Sequence, residues 1–278
     1  MIDIKRHVEL SIEEDIKEED HSGAACIPSS SISQAQLLIK DTGVISGIEV
    51  AQLVFKTIDS SIQFKQFLSD GDQIKNGDIA FEVRGSVRNI LKAERLALNY
   101  MQRMSGIATT TGIYVEAIKG TETKILDTRK TSPGLRSFEK LAVTHGGGFN
   151  HRFGLYDMIM IKDNHIDFAG GIDEAMNSTS AYLKANNLNL KVEVEARDLN
   201  EVEKILSNGN ADRIMFDNFN YSDTQTGVKM VAQRMETESS GGITLETIRG
   251  YAECGVDFIS VGALTHQIQS LDMSLKAF

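Results

Sequence analysis

The C-terminal half of the chain repeats one arrangement: a short apolar strand that ends in a charged residue or a glycine turn. Ile125-Leu126 runs into Asp127-Thr-Arg-Lys130, and Met158-Ile-Met-Ile161 runs into Lys162-Asp-Asn-His165. Val192-Glu-Val194 ends at Glu195, Ile214-Met-Phe216 at Asp217, and Phe258-Ile-Ser-Val261 at Gly262. The stretch Glu238-Ser-Ser-Gly-Gly-Ile243 belongs to the same set. Strands that alternate with helices build a parallel sheet, and a β/α barrel gathers its chemistry at the C-terminal strand ends. Two of these ends are basic, two are carboxylates and two are glycine turns. That mixture suits an anionic, phosphorylated, metal-bound substrate.

Strands centred near residues 125, 159, 192, 214, 235 and 259 alternate with helical stretches at 137–144, 199–207 and 244–254. Six strands are clear and a seventh is not, so the barrel is expected to be partial. The first hundred residues follow another pattern. An acidic amphipathic helix is expected at 8–19, strands at 36–40, 62–68 and 79–83, and a helix at 48–58. Asp70-Gly71 and Asn76-Gly77 are turn signals between the last two strands. A long helical region over 88–118, expected to break or bend near Ser105-Gly106, bridges into the barrel. The fold class is therefore α/β: an N-terminal α+β sandwich over 1–104 and a C-terminal partial, TIM-like (β/α) barrel over 105–267. The tail 268–278 is expected to return to the first domain.

Charge separates the possible functions further. The formal net charge of −10 disfavours nucleic acid, which needs a basic face. Yet between Lys124 and His165 seven Lys/Arg face four acids, while the remainder carries 22 basic and 35 acidic residues. A basic island in an acidic chain marks a small anionic ligand rather than a polymer. No apolar run reaches membrane-spanning length, and the acidic start is unlike a secretory signal. Cys26 and Cys254 are far apart with no paired spacing, which fits a reducing cytoplasm.

The motifs leave several chemistries open. Thr128-Arg-Lys-Thr-Ser-Pro-Gly-Leu-Arg136 places three cations in a loop directly after a strand, where Arg129 suits a carboxylate or phosphate fork and Lys130 a point charge. His145-Gly-Gly-Gly-Phe-Asn-His-Arg152 exposes backbone donors and a His-Arg pair, read as an anion site at His151 and Arg152 or as metal ligation by His145 and His151. Lys162 is an anion ligand, a Schiff-base lysine or a surface lysine. Glu195 and Asp217, on neighbouring strand ends, can hold Mg²⁺ or ribose hydroxyls. Glu193 shares the face of Glu195 by strand alternation, which complicates that assignment. Ser239-Ser-Gly-Gly242 and Gly262-Ala263 close the last two units, where barrels bind phosphate.

Taken in order, these segments resemble the quinolinate phosphoribosyltransferase family. Ala93-Glu-Arg-Leu-Ala-Leu-Asn99, Ser105-Gly-Ile-Ala-Thr109, Thr128–Arg136, Gly146–Arg152, Ile161–His165, Val192–Glu195, Phe216-Asp-Asn-Phe219, Glu238–Ile243 and Val261-Gly-Ala-Leu-Thr-His266 carry the resemblance over nearly the whole chain. It implies a type II phosphoribosyltransferase, in the cytoplasm, that converts quinolinate and 5-phosphoribosyl 1-pyrophosphate to nicotinate mononucleotide, pyrophosphate and CO₂ with Mg²⁺, in de novo NAD synthesis. It also implies a homodimer with shared sites, in which Arg95 reaches the neighbouring subunit's site. Arg129, His151, Arg152 and Lys162 would surround the quinolinate carboxylates, beside Thr128, and Lys130 would meet the pyrophosphate. Glu195 and Asp217 would serve the ribose and its metal, and Ser240, Gly241, Gly242, Gly262 and Ala263 the 5′-phosphate, with His266 nearby. Lys130, Lys162, Glu195 and Asp217 form the implied catalytic set. The segment Asp20-His-Ser-Gly-Ala-Ala-Cys26 follows the family's N-terminal loop only loosely, and Gln267 stands where serine is common. Rival readings are a nicotinate phosphoribosyltransferase, a Schiff-base aldolase built on Lys162, and a phosphate-binding regulatory barrel without turnover.

Overall fold

A computed structural model describes residues 3–278. Its elements begin with helices α1 (Ile4–Ile16) and α2 (His21–Cys26), strands β1 (Ile32–Ile39) and β2 (Gly43–Val44), and helix α3 (Ile48–Ile58). Strands β3 (Gln63–Gln66), β4 (Gln73–Ile74) and β5 (Ile79–Ser86) lead into the long helix α4 (Val87–Ala117). Then come β6 (Lys124–Leu126), α5 (Arg136–His145), β7 (Ile159–Ile161), α6 (Asp163–Ala169), α7 (Ile172–Ala185), β8 (Val192–Ala196) and α8 (Leu199–Asn208). The chain ends with β9 (Arg213–Asp217), α9 (Tyr221–Val231), β10 (Glu236–Ser240), α10 (Ile248–Glu253), β11 (Phe258–Ser260), α11 (Ala263–His266) and β12 (Met273–Ala277).

These elements divide into two compact units. The first comprises residues 1–113, 130–147 and 263–278, and the second 114–129 and 148–262. The first unit thus takes in residues 130–147 as well as the returning C-terminal tail, where the sequence pattern places a break at 104/105 and returns only 268–278.

In the first unit, β12-β1-β5-β3 form an antiparallel sheet, and β12 pairs with β1 from Ala35↔Ala277 to Ile39↔Met273. Turn chemistry directs the chain here. Gly71 and Gly77 take φ of 96° and 95°, a region closed to most side chains. Asp70 accepts from the Ile48 amide at 2.9 Å and so caps α3. Phe55, Phe64 and Phe81 pack with tilted and edge-to-face rings between α3 and the sheet, with centroids 4.4–6.0 Å apart. Helix α4 runs unbroken through Ser105-Gly106, contrary to the break expected there. Gly106 serves close packing instead: a Cβ there would collide with the Gln269 carbonyl and lie 3.2 Å from Ser270 Cα. Ser105 donates its hydroxyl to the Ser46 carbonyl at 3.1 Å.

In the second unit, all six expected strands form one parallel sheet of order β6-β11-β10-β9-β8-β7. Residues 148–151 run beside β6, where Phe149 N donates to Ile125 O at 2.8 Å and Leu126 makes a parallel bridge with Phe149. The partial barrel is therefore widened by one residue pair rather than by a seventh strand among the described residues. Local signals start and stop its helices. Asp198 caps α8 by accepting from Glu201 N at 2.9 Å, Gly209 ends it at φ 78°, and Asn220 caps α9 in the same way. Helix α10 begins at Ile248 rather than Thr244, because Thr247 turns back to bond Thr244 and delays the first helical turn.

Candidate active site

The barrel ends of the second unit place three charged side chains where the strands stop. Lys162 follows β7 and caps α6, its amide donating to His165 Nδ1 at 2.9 Å, and its ammonium pairs with Glu195 Oε1. Glu195 lies near the end of β8, and Asp217 ends β9, the neighbouring strand. Asp217 is half-buried, with one carboxylate oxygen accepting from Asn218 Nδ2 at 3.0 Å. Ser240 ends β10 opposite Asp217, and its Oγ accepts from Ser260 at 3.1 Å. Gly241 and Gly242 follow with φ of 97° and 60°, which leaves the backbone of this turn uncovered for an anion.

Arg152 is set by the strand-like segment beside β6. Asp127 Oδ1 accepts from His151 N at 2.9 Å, and Arg152 Nη1 donates to Met158 O at 3.2 Å. Burial, then the charge of Arg129, holds the Arg152 guanidinium below its ordinary range, against the pull of Glu193, Asp157 and Glu195. Two crowded arginines that repel each other gain from an anion placed between them, and a guanidinium fork matches a carboxylate. Arg129 is exposed and Thr128 is half-buried on the loop after β6.

His151 is placed deeper than the sequence pattern conveys. Its Nδ1 accepts from Arg152 N at 2.6 Å, so the proton of a neutral ring sits on Nε2. That Nε2 faces Glu193 Oε2 at 2.9 Å and Glu238 Oε2 at 3.6 Å. Arg213 Nη1 completes the cluster, 2.9 Å from Glu238 Oε2 and 4.0 Å from Glu193 Oε1. Burial pushes the carboxyls of Glu193 and Glu238 up to about 7 and about 8, opposed by Arg213 in both cases. One guanidinium cannot compensate two buried carboxylates, so the cluster holds extra proton density at neutral pH.

Two donor sets bear on metal binding. Glu195 and Asp217 offer hard oxygen ligands on adjacent strand ends, which fits Mg²⁺. His151, Glu193 and Glu238 bring one donor atom each within 4.8 Å of one another. Arg213 already supplies the positive charge there, and a divalent ion would be pressed against its guanidinium, so this set is a charge network. His145 takes no part in it and is held by the Ser46 hydroxyl, Oγ to Nδ1 2.7 Å.

The second unit thus carries Thr128, Arg129, His151, Arg152 and Lys162 together with Glu195, Asp217, Ser240, Gly241, Gly242 and Gly262. Arg95, Lys130, Ala263 and His266 belong to the first unit. Arg95 is exposed on α4, and the Lys130 carbonyl accepts from Thr265 Oγ1 at 2.8 Å. Arg213 and Glu238 are the site neighbours that motif reading misses. Arg213 opens β9 and looks like any charged strand start, and Glu238 stands beside a glycine turn that draws attention away from it. The usable signal was the inward face that Glu193 shares with Glu195: both are buried, at 0% and 7% exposure.

Comparison with known proteins agrees over the whole chain. Residues 20–105 match the quinolinate phosphoribosyl transferase N-terminal domain and residues 107–276 the C-terminal domain. The chloroplastic, carboxylating nicotinate-nucleotide pyrophosphorylase of Oryza sativa subsp. japonica is 44% identical, over 99% of this chain and 77% of its own length. The decarboxylating quinolinate phosphoribosyltransferase 1b of Nicotiana tabacum is 42% identical, over 99% and 82% respectively. A crystal structure titled NadC from Streptococcus pyogenes superposes with a TM-score of 0.94 at 39% identity, covering 99% of this chain and 97% of that one. Among the described residues, no helix is long and apolar enough to cross a membrane.

Proposed function

The chain belongs to the quinolinate phosphoribosyltransferase family, and we propose that its barrel site joins quinolinate to 5-phosphoribosyl 1-pyrophosphate. It is a decarboxylating pentosyltransferase of NAD biosynthesis, which releases pyrophosphate and CO₂ and forms nicotinate mononucleotide. The observation that carries this reading is the division of the strand ends into cations (Arg129, Arg152, Lys162), carboxylates (Glu195, Asp217) and a glycine turn (Gly241-Gly242) on one parallel sheet. An aromatic dicarboxylate needs the first group, a ribose that develops positive charge needs the second, and a 5′-phosphate needs the third.

Each group then has a defined task. Arg152 and Arg129 hold the two ring carboxylates, with Lys162 beside them, and the buried His151 fixes the backbone of Arg152 from behind. As pyrophosphate leaves, Glu195 and Asp217 stabilise the cationic ribose carbon. Gly262 and Ser240 join the glycine turn at the 5′-phosphate. The family resemblance assigns Lys130 to the leaving anion and Ala263 and His266 to the phosphate. Once the ring nitrogen is alkylated, its positive charge stabilises the electron pair left on the adjacent ring carbon as CO₂ departs, and that carbon then takes a proton from water. Mg²⁺, held by Glu195 and Asp217, would supply charge neutralisation to the donor's pyrophosphate.

The working form is a cytoplasmic homodimer in which Arg95 serves the neighbouring site. Support for the compartment is the pair of free, widely separated cysteines. For the dimer, mixing inactive Arg95→Ala and Lys162→Ala proteins should restore activity, because one site of the mixed dimer then carries neither lesion. The function itself is tested by CO₂ release from carboxyl-labelled quinolinate. Release that needs the phosphoribosyl donor and stops in EDTA is expected; equal turnover of nicotinate would favour the monocarboxylate enzyme instead.

A further inference from the structure

We propose that Asn218 is a positioning residue that aims the Asp217 carboxylate and ties it to the glycine turn after β10; the inference rests on the donor-binding role given to Asp217. Three observations meet at this one side chain. The first is its backbone. Asn218 has φ 57°, a left-handed conformation that strains most side chains and that asparagine tolerates better than others.

The second is what that conformation achieves. Asp217 and Ser240 are register partners at the end of the β9–β10 ladder, and the Asn218 amide donates to the Ser240 carbonyl at 2.9 Å. The tip of β9 is thereby fastened one residue beyond the last paired position, to the residue that precedes Gly241. The turn back of the chain at Asn218 lets its side chain fold over its neighbour, and Nδ2 donates to Asp217 Oδ2 at 3.0 Å. A charge-assisted bond of this kind restricts the rotation of a half-buried carboxylate and leaves its second oxygen for a ligand.

The third lies on the other side of the same amide. A Cβ at position 241 would collide with Asn218 Oδ1 and lie 2.5 Å from its Cγ and 2.9 Å from its backbone nitrogen. Gly241 is therefore glycine for two reasons, its φ of 97° and the room that Asn218 occupies. One end of the Asn218 side chain orients the carboxylate, and the other sets how close the phosphate turn can approach it. The distance between ribose carbons and the 5′-phosphate is fixed by chemistry, so a site for a phosphoribosyl group needs that spacing held.

The competing account makes Asn218 a turn former only. Substitution by glycine separates the two, since glycine adopts the left-handed backbone more easily than asparagine and removes only the amide. In the full-length protein, Asn218→Gly should melt within a few degrees of the wild type. Its kcat/KM for the phosphoribosyl donor should fall by about tenfold or more, the scale of one lost hydrogen bond to a charged group, while KM for quinolinate stays within about twofold. Asn218→Asp, which sets a second carboxylate beside the first, should lose more than Asn218→Gly on the donor side alone. Donor constants in Asn218→Gly equal to the wild type, or an equal loss for both substrates with a lowered melting temperature, would overturn the assignment. Absence of quinolinate-dependent turnover in the wild type would instead sink the function on which it rests, and the inference with it.

Discussion

The interiors of the two units carry their buried charge in different places. In the first, the large apolar side chains Leu37, Ile39, Ile45, Ile48, Phe55, Phe81, Met101 and Met104 are fully buried, the Ser105 hydroxyl bonds both the amide and the carbonyl of Ser46, and the buried charges Glu139 and Lys140 sit together on α5, with Arg103 2.6 Å from Glu139. In the second, Ile125, Val194, Phe216 and Ile259 share the interior with Asp127, His151, Glu193, Arg213 and Glu238. Apolar burial stabilises a fold in proportion to area. Buried ion clusters return little net stability, because desolvation offsets their attraction. The first interior confines its buried charges to the helix α5, and the second gives up part of that gain to keep charges aligned beneath the strand ends.

The largest effect that would test this contrast comes from removing the one cation of the cluster. Arg213→Met leaves Glu193 and Glu238 buried without their partner and gives up its stacking over Phe258, 4.0 Å from the ring centroid. We expect a loss of about 3–5 kcal/mol by urea unfolding, recovered in large part when Glu193→Gln and Glu238→Gln are added. If the triple variant were also fully active, the cluster would have no function and the contrast would collapse.

Leu37→Ala, in the apolar interior, should cost about 3 kcal/mol through lost transfer energy and a cavity, with kcat unchanged at temperatures where the protein is folded. A selective loss of turnover in this variant would mean that the first unit does more than hold the fold. Arg152→Ala sharpens the comparison from the site. Quinolinate binding by calorimetry should weaken by about 1.5–3 kcal/mol, with the donor's affinity preserved. Equal weakening of both ligands would show Arg152 misplaced.

The last test is a pH dependence. The Glu238 carboxyl sits at about 8 in the fold against an ordinary 4.5, so the folded state holds the proton more tightly than the unfolded chain does. The stability linked to this group is complete below pH 4.5 and is lost as pH rises through about 8. Glu238→Gln should flatten that decline in a series of denaturation curves between pH 5 and pH 9. An unchanged slope would place the proton elsewhere in the cluster, on Glu193 or His151.

Much of the barrel could be read from the chain because its signals are local. The strands of the second unit other than β10, which is Glu-Thr-Glu-Ser-Ser, are short, largely apolar runs with a polar stop, and Asp198, Gly209 and Asn220 mark helix ends by chemistry that acts within four residues. The helix over 48–58 was legible for the same reason. The expected break at Ser105-Gly106 failed because a glycine in a helix has two explanations, flexibility and close approach. Only the chain segment at Gln269-Ser270 distinguishes them, more than 160 residues away. Likewise the delayed start of α10 depended on a Thr244–Thr247 turn that competes with helix geometry at similar energy.

The sequence by itself determined the six strands of the barrel sheet, the residue types at their ends and the family, since hydrophobic period and motif order survive without coordinates. It did not determine the depth at which those residues sit. His151 reads as a ligand-facing histidine, and its environment of Glu193, Glu238 and Arg213 comes from three other strands. Burial and charge compensation are properties of neighbours in space, and neighbours 20 to 87 residues apart in the chain are assigned only when the sheet sets their register. That register also put Asn218 between Asp217 and Gly241, a contact that arises because β9 and β10 end side by side.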